Sequence, residues 1–290
     1  MVQEQWREAA STALGGSLDH WQGIGGGDFA SAWTVVLQLN GKERTVFVKT
    51  HANPPPRHFT TEANGLRWLA EPEVMPVAEV LAVSDDPPFL ALGFIEEGGR
   101  RSAAGEAAFG RALAHLHASG APAFGREVRR STGSLGLPND PLDNWQAFYA
   151  ERRLLPLVRI AAERRALPPP VLAGIEAVAG KLTDIVPGDE TPARLHGDLW
   201  AGNRLVDIEG RSWLIDPAAH GGHREFDLAM MRLFGGFGEE AFAAYHEVNP
   251  LEPGWQSRVD LHQLAPLIVH AIKFGGHYGA EVARVVDRYA

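Results

Sequence analysis

An α+β chain in two unequal lobes is predicted: a small N-terminal lobe with an antiparallel sheet and one main helix, then a larger, mostly helical lobe. Three observations carry this expectation. Apolar alternation and turn signals dominate the first ninety-odd residues, helical spacing takes over beyond Glu96-Glu97-Gly98-Gly99, and 290 residues exceed the commonest single-domain size. The boundary accordingly falls at residue 95, giving lobes 1–95 and 96–290.

In the first lobe, Ala32 to Leu39 reads as a strand, Asn40-Gly41 as a tight hairpin turn, and Thr45 to Lys49 as the returning strand. Pro54-Pro55-Pro56 ends regular structure. Apolar residues at Phe59, Ala63, Leu66 and Leu69 then follow a helical spacing. Val74 to Val83 and Phe89 to Ile95 read as two more strands, separated by the turn residues Asp85-Asp86-Pro87-Pro88. In the second lobe, Ala107 to Ala118 is helical, and Val171, Ile175, Val178 and Leu182 recur at intervals of four, three and four. From Glu225 onwards helical patterns dominate again.

Composition narrows the function. Hydrophobic residues make up 45% and charged residues 22%, an ordinary globular profile rather than a disordered one. Twenty-seven basic against 36 acidic residues give a net charge of −9 without long runs of like charge, which argues against nucleic acid as a partner. A local cradle of amide groups, one lysine and a cation can still bind an anion such as ATP in that field. The chain has no cysteine, which excludes disulfides, thiolate metal sites and cysteine nucleophiles. No uncharged stretch reaches the length of a membrane span and the N-terminus lacks an apolar leader core, so a cytoplasmic location is expected.

The sharpest motif is Leu195-His196-Gly197-Asp198-Leu199-Trp200-Ala201-Gly202-Asn203, followed by Asp216 in Leu214-Ile215-Asp216-Pro217. Between them, Arg204 to Ile208 and Ser212 to Ile215 read as strands about a Glu209-Gly210 turn. Such a hairpin returns the chain to its start and sets Asn203 opposite Asp216. An amide oxygen and a carboxylate in one small volume beside Asp198 suit Mg²⁺. The spacing matches the kinase arrangement in which one Asp accepts the substrate hydroxyl proton while an Asn and a second Asp hold the metal. Alone, His-Gly-Asp is often a turn and Asp-Pro a loop boundary; the joint spacing favours chemistry. His196 reads as a scaffold residue.

The first lobe supplies matching parts. Gly25, Gly26 and Gly27 precede a strand, as expected of a hairpin whose exposed N–H groups cover phosphates, while the Gly-Lys-Ser/Thr of a Walker A sequence is absent. Lys49 ends an apolar strand, and Glu62 lies early in the helix that follows. A lysine on the phosphates held by a helix carboxylate is the corresponding kinase pairing; by itself, Lys49 would be a surface charge at a strand end. Trp200 is either an acceptor wall or packing beneath the loop. Asp227 is expected to bond the catalytic-loop backbone or cap a helix. His270, Phe274 and Tyr278 share a helical face that reads as core or pocket packing.

These residues carry a resemblance. His196-Gly197-Asp198-Leu199-Trp200-x-Gly202-Asn203, Asp216-Pro217-Ala218, Arg224-Glu225-x-Asp227-Leu228-Ala229-Met230, and His270-x₃-Phe274-Gly275-Gly276-x-Tyr278 are similar to segments of the fructosamine kinase (ketosamine-3-kinase) family. That family lies within the aminoglycoside-phosphotransferase-like branch of the protein-kinase-like superfamily. The middle of the chain, with Trp145, Phe148, Arg152 and Arg153, resembles it too. The front departs: Gly25-Gly26-Gly27-Asp28 only approximates the phosphate-loop pattern, and Gly93 stands where a Glu is common before the hinge.

The resemblance implies a two-lobed protein-kinase-like fold and transfer of the ATP γ-phosphate, with Mg²⁺, to the 3-hydroxyl of a ketosamine such as a fructosamine or ribulosamine. It implies hinge contacts to adenine from Phe94 and Ile95, and acceptor contacts from Trp200 and His270. Two alternatives stand beside this reading. One is a kinase of another small alcohol or an aminoglycoside; the other is a non-catalytic pseudokinase, which the joint presence of Lys49, Glu62, Asp198, Asn203 and Asp216 opposes.

Overall fold

The computed structural model describes residues 2–25, 30–126 and 135–290. Its first part comprises α1 (Val2–Leu14), β1 (Ser17–Ile24), β2 (Ser31–Leu39), β3 (Lys42–Thr50), α2 (His58–Ala70), β4 (Val80–Asp85) and β5 (Pro88–Gly93). The strands form one antiparallel sheet in the order β1-β2-β3-β5-β4. Side-chain alternation divides the two faces. Val46 and Val48 of β3 and Phe89 and Ala91 of β5 join Trp6 and Ala10 of α1, whereas Leu90 and Leu92 turn to Phe59, Leu66 and Leu69 of α2.

Two expectations need correction here. The first lobe has two long helices, because α1 closes the outer face of the sheet. Its Arg7 guanidinium lies over the rings of Trp6, Trp21 and Trp33 at 5.7, 4.7 and 5.6 Å, clamping the helix to β1 and β2. The strand expected over Val74 to Val83 is shorter. Val77 instead bridges Leu214, and hydrogen bonds from Ala78 N to Leu214 O and from Leu214 N to Pro76 O tie this segment to the second lobe.

The second part comprises α3 (Ala103–Ala118), α4 (Trp145–Phe148), a π-helical turn at Tyr149–Leu154, α5 (Leu155–Glu163), α6 (Pro169–Gly180) and α7 (Leu182–Ile185). Then come β6 (Ala193–Leu195), β7 (Arg204–Val206), β8 (Ser212–Leu214), β9 (His220–Gly222), α8 (Glu225–Leu233), α9 (Glu239–Val248), α10 (Val259–Phe274) and α11 (Tyr278–Tyr289). Trp145, Phe148 and Tyr149 lie in a core completed by α10 and α11. A second core is shared between lobes: Phe59, Leu66 and Leu90 pack in one cluster with Leu113, Leu228 and Tyr245. No helix among the described residues is long and apolar enough to cross a membrane.

Candidate active site

The loop after β6 carries Asp198. Gly197 has φ +80° there, and a Cβ at this residue would strike the Ala218 carbonyl, so a side chain is excluded both by conformation and by space. The loop is held from below by Asp227, which is fully buried and accepts the backbone N–H groups of His196 at 2.7 Å and Gly197 at 2.9 Å. His117 Nε2 lies 3.3 Å from the same carboxylate, and its Nδ1 lies 2.8 Å from the Tyr245 hydroxyl. Burial would raise the Asp227 carboxyl, but the hydrogen bond and charge of His117 and the loop amides keep it below its ordinary value.

His196 serves the loop in the same way. Its Nδ1 accepts the Asp198 N–H at 3.2 Å, which leaves Nε2 to donate to the Ile215 carbonyl at 2.8 Å. Complete burial lowers its pKa and favours this neutral form. The ring thereby links the loop to the strand end that delivers Asp216.

The expected hairpin is present, with its register moved by one residue. Arg204 pairs with Leu214 and Val206 with Ser212, so Asn203 faces Ile215 rather than Asp216; the Ile215 N–H donates to the Asn203 carbonyl at 3.1 Å. The physical reason is the loop. Asp207 accepts the backbone N–H groups of Glu209 and Arg211 and the Trp213 indole N–H, closing a five-residue turn that ends both strands early. Asp216 is brought back by its own backbone, which adopts φ +53°, a left-handed conformation that Asp tolerates better than most residues.

The three oxygen-bearing side chains therefore still converge. Asn203 Nδ2 donates to the Asp198 carbonyl at 2.8 Å and lies 3.2 Å from Asp198 Oδ2 and 3.4 Å from the Asp216 carbonyl. Its Oδ1 has no protein donor among the described residues. From the first lobe, Lys49 Nζ donates to Glu62 Oε1 at 2.9 Å and also pairs with the Asp216 carboxylate. Burial would lower the Lys49 ammonium, but the charges of Glu62 and Asp216 overcome it and raise the group above its ordinary value. Burial first, and the Asp216 charge second, push the Asp198 carboxyl up to about 7.

Other expected residues lie around this centre. Gly25 directly follows β1 and is exposed; Gly26 and Gly27 lie outside the described residues. Phe94, 40% exposed, and Ile95 follow β5 directly, on the connection between lobes. The Trp200 ring lies over Gly202, where any Cβ would displace it, and remains 39% exposed beside Phe234. Thus Trp200 forms an open wall and also packs on its own loop. His270, Phe274 and Tyr278 do not share one helix, since Gly275 and Gly276 at φ +64° and +63° end α10, yet their rings stay within 6.4 Å of one another.

A buried pair that sequence reasoning missed supports the loop from the other side. Arg204, the residue after Asn203, makes two hydrogen bonds to Glu106 of α3 at 2.6 and 3.0 Å, and lies between the Phe109 and Phe237 rings at 4.8 and 4.5 Å. The partners stand 98 residues apart, and no local pattern marks them.

A lysine–glutamate pair facing an Asp, Asn and Asp across two lobes is the constellation of a phosphotransferase. Comparison with known proteins agrees. The family model described as fructosamine kinase matches residues 1–290. The chain belongs to the fructosamine kinase family. A protein of Enterococcus faecium assigned as a ketoamine kinase is 33% identical over 258 residues, covering 87% of this chain and 90% of that one. The protein-ribulosamine 3-kinase of Arabidopsis thaliana is 32% identical over 251 residues, covering 84% and 75%. The crystal structure of a Thermobifida fusca protein assigned as a fructosamine-3-kinase superposes with a TM-score of 0.88 at 37% identity, covering 97% of this chain and 98% of that one. This kinase is accordingly an enzyme of protein-kinase-like fold that takes phosphate from ATP.

Proposed function

We propose that the kinase transfers the ATP γ-phosphate to the 3-hydroxyl of a ketosamine, a fructosamine or ribulosamine carried by an amine. The observation that supports the catalytic part is the convergence of Asp198, Asn203, Asp216 and Lys49 in one hydrogen-bonded network. The family membership and the ribulosamine kinase relative support the acceptor.

Residues 1–95 then act as the nucleotide-binding lobe and residues 96–290 as the catalytic and acceptor lobe. Lys49, fixed by Glu62, contacts the phosphates, and the backbone at Phe94 and Ile95 meets adenine. Asp198 orients the acceptor hydroxyl and takes its proton as the oxygen–phosphorus bond forms and the bond to the β-phosphate oxygen breaks, releasing ADP. Trp200 and His270 line the acceptor side. Asp216 and the free Oδ1 of Asn203 are hard oxygen donors that fit Mg²⁺. When bound, the cation offsets charge on the transferring phosphates.

An ADP-release screen over ketosamines, aminoglycosides and choline tests the acceptor. Highest kcat/KM with a ketosamine is expected; preference for an aminoglycoside or choline overturns the assignment, and ATP binding without ADP formation on any acceptor favours a binding module. A second expectation concerns Lys49→Met. Loss of a charge-assisted contact lowers kcat/KM for ATP about 10- to 100-fold, with a smaller change in the acceptor KM. Initial rates at varied ATP would show it, and an unchanged ATP dependence removes Lys49 from the phosphate site.

A further inference from the structure

Between α8 and α9 the chain runs Phe234-Gly235-Gly236-Phe237-Gly238 across the loop that carries Asp198 and Asn203. Gly235 and Gly236 stand at φ +67° and +87°, a pair of left-handed residues that glycine adopts without strain. A Cβ on Gly236 would fall 2.5 Å from Ala201 Cβ, so this backbone lies directly against the single turn Ala201–Asn203. That turn is closed by a hydrogen bond from the Asn203 N–H to the Trp200 carbonyl at 3.0 Å. The segment also meets the residues flanking the turn: the Phe234 ring reaches Trp200 edge-on at 6.2 Å, and the Phe237 ring lies 4.5 Å from the Arg204 guanidinium. Asn203 is thus held in place by a strap that touches the chain on both sides of it.

The strap is fastened at two points. On the buried side the Gly238 N–H donates to Glu106 Oε2 at 3.0 Å. On the exposed side the Gly236 carbonyl accepts from Arg101 Nη1, while Arg204 Nη2 stands 3.5 Å away, at the outer limit of a hydrogen bond. Arg101 is therefore the principal donor. Its backbone is steadied by the next residue, Ser102, whose Oγ accepts the Gly105 N–H at 3.1 Å and caps α3. An exposed hydrogen bond of this kind adds little to stability. What it supplies is a fixed position for the carbonyl behind the loop.

Resting on the reading of Asn203 as a cation ligand, we propose that Arg101 is a positioning residue for the metal: through Gly236 and Ala201 it keeps the Asn203 amide beside Asp198 and Asp216. The affinity of a metal site depends steeply on the groups that hold its ligands from behind. Without the Arg101 donor the Gly236 carbonyl is released on its exposed side and the strap can lift from Ala201. The turn that carries Asn203 then gains freedom that cation binding must remove, so affinity falls while the fold stands.

The test titrates Mn²⁺ into enzyme saturated with a non-hydrolysable ATP analogue and follows bound metal by electron paramagnetic resonance, for the unaltered chain, Arg101→Ala, Arg101→Lys and Asn203→Ala. Arg101→Ala is expected to weaken Mn²⁺ binding about tenfold, the lower end for loss of a group behind a metal ligand, with a melting temperature close to that of the unaltered enzyme. Arg101→Lys, which keeps a donor, should recover most of the affinity. In initial-rate measurements the Mg²⁺ concentration for half-maximal rate should rise with Arg101→Ala by a similar factor, and saturating Mg²⁺ should largely restore kcat. Unchanged Mn²⁺ affinity in Arg101→Ala overturns the proposal, as does a loss that follows a fall in melting temperature and is not recovered by Arg101→Lys. Asn203→Ala separates the two readings. If it binds Mn²⁺ as tightly as the unaltered enzyme, the assignment of Asn203 to the cation falls and takes this proposal with it; if it weakens binding and Arg101→Ala does not, the proposal alone falls.

Discussion

Asp198→Asn is expected to cut kcat by about 10²–10⁴-fold, the range for loss of a positioned general base, while leaving the fold intact. It should also stabilise the nucleotide-free enzyme at alkaline pH. The folded-state pKa of about 7 lies above the ordinary 3.8, so the carboxyl contributes stability that is complete below about 4 and is lost as pH rises through about 7. The amide carries no charge to desolvate. In a chelator-containing buffer at pH 8 the variant should melt roughly 2–4 °C above the unaltered enzyme, on the order of 1 kcal/mol after allowance for partial solvent access. That advantage should shrink as the pH falls towards 4. Near-normal kcat would remove Asp198 from the base role, and a lowered melting temperature at pH 8 would contradict the burial argument.

Arg204→Met should cost about 3–5 kcal/mol of stability, because it leaves the Glu106 carboxylate buried without its bidentate partner. Hydrogen bonds from Arg204 and the Gly238 N–H hold that carboxyl below its ordinary value against the effect of burial. Its contribution is thus present above about 4.5 and lost as pH falls through the lower folded value. Since Asn203 precedes Arg204 directly, kcat should fall with stability. Denaturant unfolding of Arg204→Met and of the double variant Glu106→Leu/Arg204→Met provides the check. The double variant should recover most of the loss, since apolar groups of similar volume replace both charges. Equal loss in both, or none in either, would show that the pair is not what holds this corner.

The residues proposed for catalysis are legible because they are close in sequence: Asn203 is the fifth residue after Asp198, and a hairpin with clear strand and turn signals returns Asp216. The register is not. It depends on Asp207 closing the turn with four hydrogen bonds, and one residue more or less in a turn leaves the strand pattern unchanged. The first helix and β1 leave weak signals because only the helix face with Trp6 and Ala10 enters the core, and β1, Ser17–Ile24, is polar and largely exposed. The supports of the site, Glu106 with Arg204 and His117 with Asp227, join residues 98 and 110 apart. Local composition says nothing about such pairs; they arise only when α3 is laid against the catalytic loop. Lys49 and Glu62 can be joined from sequence only through the kinase pattern that the Asp198, Asn203 and Asp216 spacing brings with it.

The apolar cluster shared between lobes sets a cost on any movement of α2. Helix α2 presents Glu62 to Lys49 and packs on β4 and β5, burying Phe59, Leu66 and Leu69 in a cluster that continues into α3, α8 and α9. Swinging it outward would expose those three residues to water, at about 1.5–3 kcal/mol each. The pairing of Glu62 with Lys49 is therefore already made in the resting fold.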